Sequence, residues 1–181
     1  MSELYAPYKS SSATGTQSGF KNNAWISLTD WITTEAVPAP GESPKMGDNY
    51  TITTAHVWTT GTGGLPVYLF PKTTELSGEL AGDQGAKIKV FKPKIFIAGD
   101  NAASLELVNN IMNKTLILWM EKPGCPGQLV QFGSKCAPLF LDSGNLVSGA
   151  IQSGKAGYEL TFETQEKYFY NGTITEYPLA A

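Results

Sequence analysis

Near the end of the chain, Tyr158, Leu160 and Phe162 alternate with Glu159, Thr161 and Glu163. That period of two predicts a strand with one buried and one polar face over residues 157–164. A cluster of rings follows at Tyr168, Phe169 and Tyr170, and the Asn171-Gly172 pair after it reads as a turn. The same reading predicts strands at 24–28, 50–58, 66–70, 128–132 and 138–141, with a last one at 173–177. In the 50–58 segment Ile52, Thr54, His56 and Trp58 share a face. Thr59, Thr60, Gly61 and Thr62 then form a flexible tip, so that 50–58 and 66–70 make a long hairpin.

The run from Thr115 to Met120 is continuously apolar and predicts a central strand buried on both faces. Before it, residues 100–113 carry the best helical period, with Asp100 or Asn101 as cap and Leu105, Val108, Ile111 and Met112 as the apolar face. Residues 87–96 alternate around Pro93, which predicts one bent strand or two short ones. Lys87, Lys89, Lys92 and Lys94 lie in that stretch as a basic stripe, which reads as an edge strand guarded against aggregation. Residues 78–86 read as a polar loop. About ten short strands around one helix define a mainly β fold, a β-barrel or two-sheet sandwich with one flanking α-helix.

Residues 1–23 are rich in Gly, Ser and Thr and show no period, so they read as an N-terminal arm before a single β-rich domain over 24–181. Leu4, Tyr5, Tyr8 and Phe20 are large apolar residues for a tail, and docking on a neighbouring copy accounts for them; otherwise the arm is loose and the rings are incidental.

Composition narrows the function. Charged residues make up only 16% of 181, and the surface takes its polarity from hydroxyls and amides, which suits close contact with other protein. All 13 basic residues are lysine, and the net charge is −3. Without the arginine fork and with a repulsive charge, sequence-specific nucleic-acid binding is disfavoured, while passage of DNA without adhesion is compatible. No run reaches the length of a membrane helix, and the polar start lacks a signal-peptide layout, so no membrane anchor is expected and synthesis is placed in a cytoplasm.

Catalysis finds little support. His56 is the only histidine and sits in a strand pattern without a nucleophile elbow. A strand histidine satisfied by neighbouring hydroxyls is the expectation, with no catalytic, metal or cofactor residue assigned. Cys125 and Cys136 flank a turn and are either a cross-strand disulfide or two partly buried thiols. The glycines of 59–66 lack the ending of a phosphate loop. Trp25, Trp31, Trp58 and Trp119 leave one rival class open, a β-sandwich carbohydrate-binding module with an aromatic platform.

Over residues 86–174 the order of helix, apolar strand, Gly/Cys/Pro turn, Phe132-Gly133-Ser134, Ala137-Pro138, a turn region at 143–154 and the Gly157–Glu163 strand resembles tail-type structural proteins of phages and prophages of Bacteroidetes-type hosts. The resemblance implies a phage tail-tube-like subunit in the virion, forming homo-oligomeric rings, hexameric and stacked, that meet other tail proteins and pass DNA non-specifically. A head–tail connector or tail-completion ring is the alternative. It further implies subunit contacts through Leu4, Tyr5, Tyr8, Phe20, Thr59, Thr60, Gly61, Thr62, Lys87, Lys89, Tyr168 and Tyr170. Glu159, Thr161 and Glu163 would face the channel.

Overall fold

A computed structural model describes residues 23–42, 45–69, 74–122, 128–148 and 156–177. In chain order the strands are β1 (Asn23–Leu28), β2 (Ile32–Thr34), β3 (Thr51–Ile52), β4 (Val57–Trp58), β5 (Leu65–Tyr68), β6 (Glu75–Ala81) and β7 (Ile88–Ala98). Helix α1 (Ala102–Ile111) follows, then β8 (Leu116–Glu121), β9 (Leu129–Phe132), β10 (Phe140–Ser148), β11 (Ala156–Glu163) and β12 (Lys167–Tyr170). One sheet has the order β3-β12-β9-β8-β1-β5 and a second the order β10-β11-β7-β6; β2 and β4 pair separately. The architecture is a sandwich with one helix, and the described strands do not close into a barrel.

β8 occupies the centre because both of its faces are apolar. Leu116, Leu118 and Met120 enter the core between the two large sheets, with Ile95, Ile97, Leu160 and Phe162 opposite them. Ile117 and Trp119 enter a second core on the other face, beneath Ile32, Ala36 and Ile52. The six-stranded sheet is thus covered twice, by the four-stranded sheet and α1 on one side and by the β2–β4 layer on the other.

Asn101 caps α1, accepting from Ser104 N–H at 2.9 Å, while Ser104 Oγ accepts from the Asn101 N–H at 3.1 Å. The buried face is Ser104, Leu107 and Ile111, with Val108 beside it. Leu105 is 48% exposed and Met112 43%, a correction to the expected face. Both sets fit a helical period; the Ser104 hydroxyl, which also donates to Gly99 O at 2.8 Å, anchors the helix with the Leu107 side inward.

Three further expectations change. Residues 78–81, expected as part of a loop, belong to β6 together with 75–77, because its polar positions Glu75, Ser77 and Glu79 share one solvated face. The 50–58 segment breaks into β3 and β4, which join different sheets, so no long hairpin forms at 59–64; Gly61 (φ +81°) instead makes a tight turn closed by Thr62 N–H to Thr59 O at 3.0 Å. Residues 173–177 contribute only a single bridge, Glu176 to Gly64. Pro93 does not split β7. β11 pairs with β7 along 94–98, the ladder lapses at Pro93, and pairing resumes in the same register at Phe91–Thr164, while β6 pairs continuously past it.

Candidate functional site

The feature least explained by packing is the outer face of the four-stranded sheet. Tyr158, Leu160 and Phe162 of β11 turn inward, so Glu159, Thr161 and Glu163 must lie on the other side. Register places Lys94 beside Thr161, and Glu75 and Ser77 of β6 opposite Lys94 and Lys92. Lys94 Nζ lies 2.8 Å from Glu159; Lys92 Nζ lies 3.1 Å from Glu79 and 3.6 Å from Glu163. Hydrogen bonding and the charge of Glu79 hold Lys92 above the usual ammonium range, and the Glu159 bond does the same for Lys94. Four carboxylates (Glu75, Glu79, Glu159 and Glu163) surround two ammonium groups, so the face is paired internally and still net acidic.

Both rims of this sheet are open among the described residues. Phe91 exchanges both backbone bonds with Thr164 on the β11 side, so alternate residues of β7 bond β6, and on β6 the residues opposite them are Glu75, Ser77, Glu79 and Ala81. The amides of Leu76, Gly78 and Leu80 therefore point away from the sheet. By the same alternation Gly144 and Leu146 point outward from β10. Exposed apolar side chains stand at both rims: Leu80 is 63% exposed, Phe140 49% and Leu146 54%.

The β6–β7 hairpin runs past β11, and every residue from 82 to 89 is exposed. Lys87 and Lys89 sit on this projecting part, separated from the paired Lys92 and Lys94. The long hairpin therefore exists, at residues 75–98 and not at 50–70. Thr59, Thr60 and Gly61 are exposed, but their turn is bonded to the β2 layer through Thr59 N–H to Trp31 O at 2.9 Å and Thr33 Oγ1 to Thr59 Oγ1 at 3.2 Å. Tyr168 is half-buried. Tyr170 is 0% exposed and packs in the second core, because β12 turns Phe169 to one face of the sheet and Tyr170 to the other; it is not available to a neighbouring subunit. Leu4, Tyr5, Tyr8 and Phe20 lie outside the described residues, as does Cys125; Cys136 is a free, exposed thiol and not a partly buried one.

His56 is fixed from both sides. Its Nδ1 accepts from the Ala36 N–H at 3.0 Å, which places the proton on Nε2, 2.9 Å from Gln131 Oε1. The ring's partners are a side-chain amide and a backbone N–H; the expected hydroxyl contact is made by the main chain, whose His56 N–H donates to Tyr170 Oη at 3.2 Å, and His56 lies in the break between β3 and β4, not in a strand. Burial holds its pKa below the usual imidazole value. Its ring stacks on Tyr170 with centroids 5.0 Å apart. Both nitrogens are engaged inside the chain, which leaves no lone pair aimed at a substrate.

The four tryptophans do not share a platform. Trp31 packs toward the inter-sheet core and stacks on Tyr177 at 5.1 Å, whereas Trp25, Trp58 and Trp119 belong to the opposite cluster.

No protein-family model matches the chain, and no curated protein matches it. Among solved structures, a chain of a "Virion of native gene transfer agent (GTA) particle" is similar, with 18% identity and a TM-score of 0.39 over 62% of this chain and 88% of that one.

Proposed function

We propose that the protein is a virion structural subunit that assembles into rings by continuing its four-stranded sheet from copy to copy, and that stacked rings form a tail tube through which DNA passes. The observation that carries this reading is the combination of two open rims with a face between them whose lysines are paired within the chain and whose net charge is negative. In the order β10-β11-β7-β6 neighbouring strands are antiparallel, so the β10 of a second copy added beside β6 keeps the alternation unbroken. Such a contact is head-to-tail, and head-to-tail contacts form a ring when the rotation between copies closes.

Six copies give room for a duplex. Six sets of four strands at about 4.8 Å spacing give a backbone ring roughly 37 Å across if the strands run along the axis, and a wider one if they tilt, which leaves at least roughly 25 Å between side chains for a duplex of roughly 20 Å. Four copies with untilted strands would leave roughly half that opening. Glu159, Thr161 and Glu163 would then line the channel, with Lys92 and Lys94 neutralised by carboxylates of their own chain. An acidic wall without arginine repels phosphate and lets DNA slide. The projecting β6–β7 hairpin supports stacked rings over a single connector ring, since it extends beyond the sheet that would form the wall. Negative-stain microscopy of the purified protein tests the reading: rings or tubes with a central pore are expected, and a field of solitary particles at high concentration contradicts it.

A further inference from the structure

Beside the projecting hairpin lies a cavity of about 590 Å³ walled by Tyr50, Phe91, Tyr168 and Phe169. Cations rim it. Lys89 Nζ stands 5.2 Å from the Tyr50 ring centre, and Lys167 Nζ stands 5.9 Å from that of Phe91 and 5.7 Å from that of Phe169. Burial and the nearby Lys122 charge make the Lys167 ammonium easier to deprotonate than usual, so an anion is wanting beside it. Glu166 lines the same cavity, and its Oε2 is buried with no donor among the described residues. The groove therefore asks for flat apolar groups, one negative charge and one hydroxyl or amide donor.

The chain itself contains such a segment, Glu3-Leu4-Tyr5-Ala6-Pro7-Tyr8. A proline disfavours the helical region for the residue before it, so the Ala6-Pro7 sequence suits binding in a polyproline II conformation. In that conformation, with three residues per turn, Tyr5 and Tyr8 would project from one side, about 9 Å apart. Aromatic grooves recognise such segments because little order remains to be imposed on them. Each ring can lie against the aromatic walls, either phenol can donate to Glu166, and Glu3 complements Lys89 and Lys167.

Within one chain the segment is long enough to arrive at the groove and to pass beyond it. Residues Ala24, Met120, Val130 and Phe169 are successive register partners, so β1 begins about 14 Å from the groove wall. The 14 residues between Tyr8 and Asn23 span up to about 46 Å when extended. We infer that the groove beside the β6–β7 hairpin receives residues 3–8 of a second copy of the chain. Only the choice of a second copy over the chain's own arm rests on the ring reading above.

The test uses the full-length chain carrying Tyr5→Ser and Tyr8→Ser, so that its own anchors are absent. It is titrated with a labelled peptide of residues 1–12 and followed by fluorescence anisotropy. Saturation in the range of about 10–100 μM is expected. Adding Tyr50→Ala or Lys89→Glu, both exposed positions, should weaken binding at least about tenfold while leaving the circular dichroism unchanged. No saturation by about 1 mM, equal binding to the groove variants, or equal binding of a scrambled peptide would overturn the proposal. If dilute, monomeric wild-type chain excludes the peptide that the double variant binds, the arm fills its own groove and the second-copy assignment fails. Rings formed undiminished by the double variant would also overturn docking between copies while leaving edge pairing intact. A wild-type chain that never forms rings would refute the ring reading, and the titration would still decide the groove.

Discussion

His56 Nε2 lies 2.9 Å from Gln131 Oε1, and the same oxygen accepts the Trp119 indole N–H at 2.9 Å. One amide oxygen thus satisfies two buried donors in the second core, while its own nitrogen donates to Gly133 O at 3.0 Å. Gln131→Leu would strand both donors. Each unsatisfied donor costs about 1–3 kcal/mol, so urea unfolding should show a loss of about 2–5 kcal/mol and thermal melting a drop of roughly 5–15 °C. An unchanged melting temperature would show that the network contributes nothing to stability.

Stability should also fall in mild acid because of His56. Its folded pKa lies below the unfolded value of 6.5, since burial disfavours the imidazolium. The unfolded chain therefore binds the proton first, and the contribution is full above pH 6.5 and is lost as pH falls toward the depressed folded value. Glu35 acts in the opposite sense at lower pH: burial raises its folded pKa, so its contribution is present below the unfolded value and lost as pH rises through the folded one. The difference in unfolding free energy between wild type and His56→Gln, measured from pH 7.5 to 5, isolates the histidine and should narrow as pH drops.

Tyr168 gives the alkaline counterpart. Burial, with the Glu166 carboxylate second, pushes its pKa up to about 12 from 10.0. The stability it contributes is complete below pH 10 and should be lost as pH rises from there toward about 12. Tyr168→Phe should remove that part of the alkaline loss in an unfolding series from pH 9 to 11; an unchanged alkaline slope would contradict the assignment.

Much of the sandwich could be read from residue pattern where burial is one-sided or complete, as at β11 and β8. The signal failed where polarity and structure part company. β6 is not legible as a strand, and its second half reads as a loop, because Glu75, Ser77 and Glu79 occupy its solvated face and Gly78 interrupts the other, so no apolar alternation survives. The helix was placed correctly but turned by one residue, since Ser104 is buried through hydrogen bonds that hydrophobicity does not reveal. Lys92 and Lys94 were visible as a stripe, yet their partners Glu79, Glu159 and Glu163 come from two other strands. Only the register brings them together. Tyr170 looked like an interface residue because a ring cluster does not show that the sheet beneath it is covered on both faces.

The outward amide of Leu80 offers a selective lesion. Proline there removes a donor at the open rim and leaves the β6–β7 bonds in place, whereas proline at Glu79 breaks that ladder. Leu80→Pro should therefore retain wild-type circular dichroism and lose rings in light scattering, while Glu79→Pro loses both. Rings that survive Leu80→Pro would rule out edge pairing through β6.

Charge on the outer face should govern adhesion to DNA. Glu159→Lys with Glu163→Lys turns the acidic face basic. Assembled variant should bind duplex in a gel-shift assay, more weakly as salt rises, where wild-type assemblies do not. Equal binding by both would place this face away from the DNA.

The central claim is that copies join by extending the four-stranded sheet, and hydrogen exchange reads it residue by residue. Between dispersed and assembled protein, the amides of Leu76, Gly78, Leu80, Gly144 and Leu146 should change from fast exchange to strong protection, while those of Glu79 and Asn145, already bonded within the sheet, change far less. Outward amides that exchange as quickly in the assembly as in the dispersed chain would contradict the account.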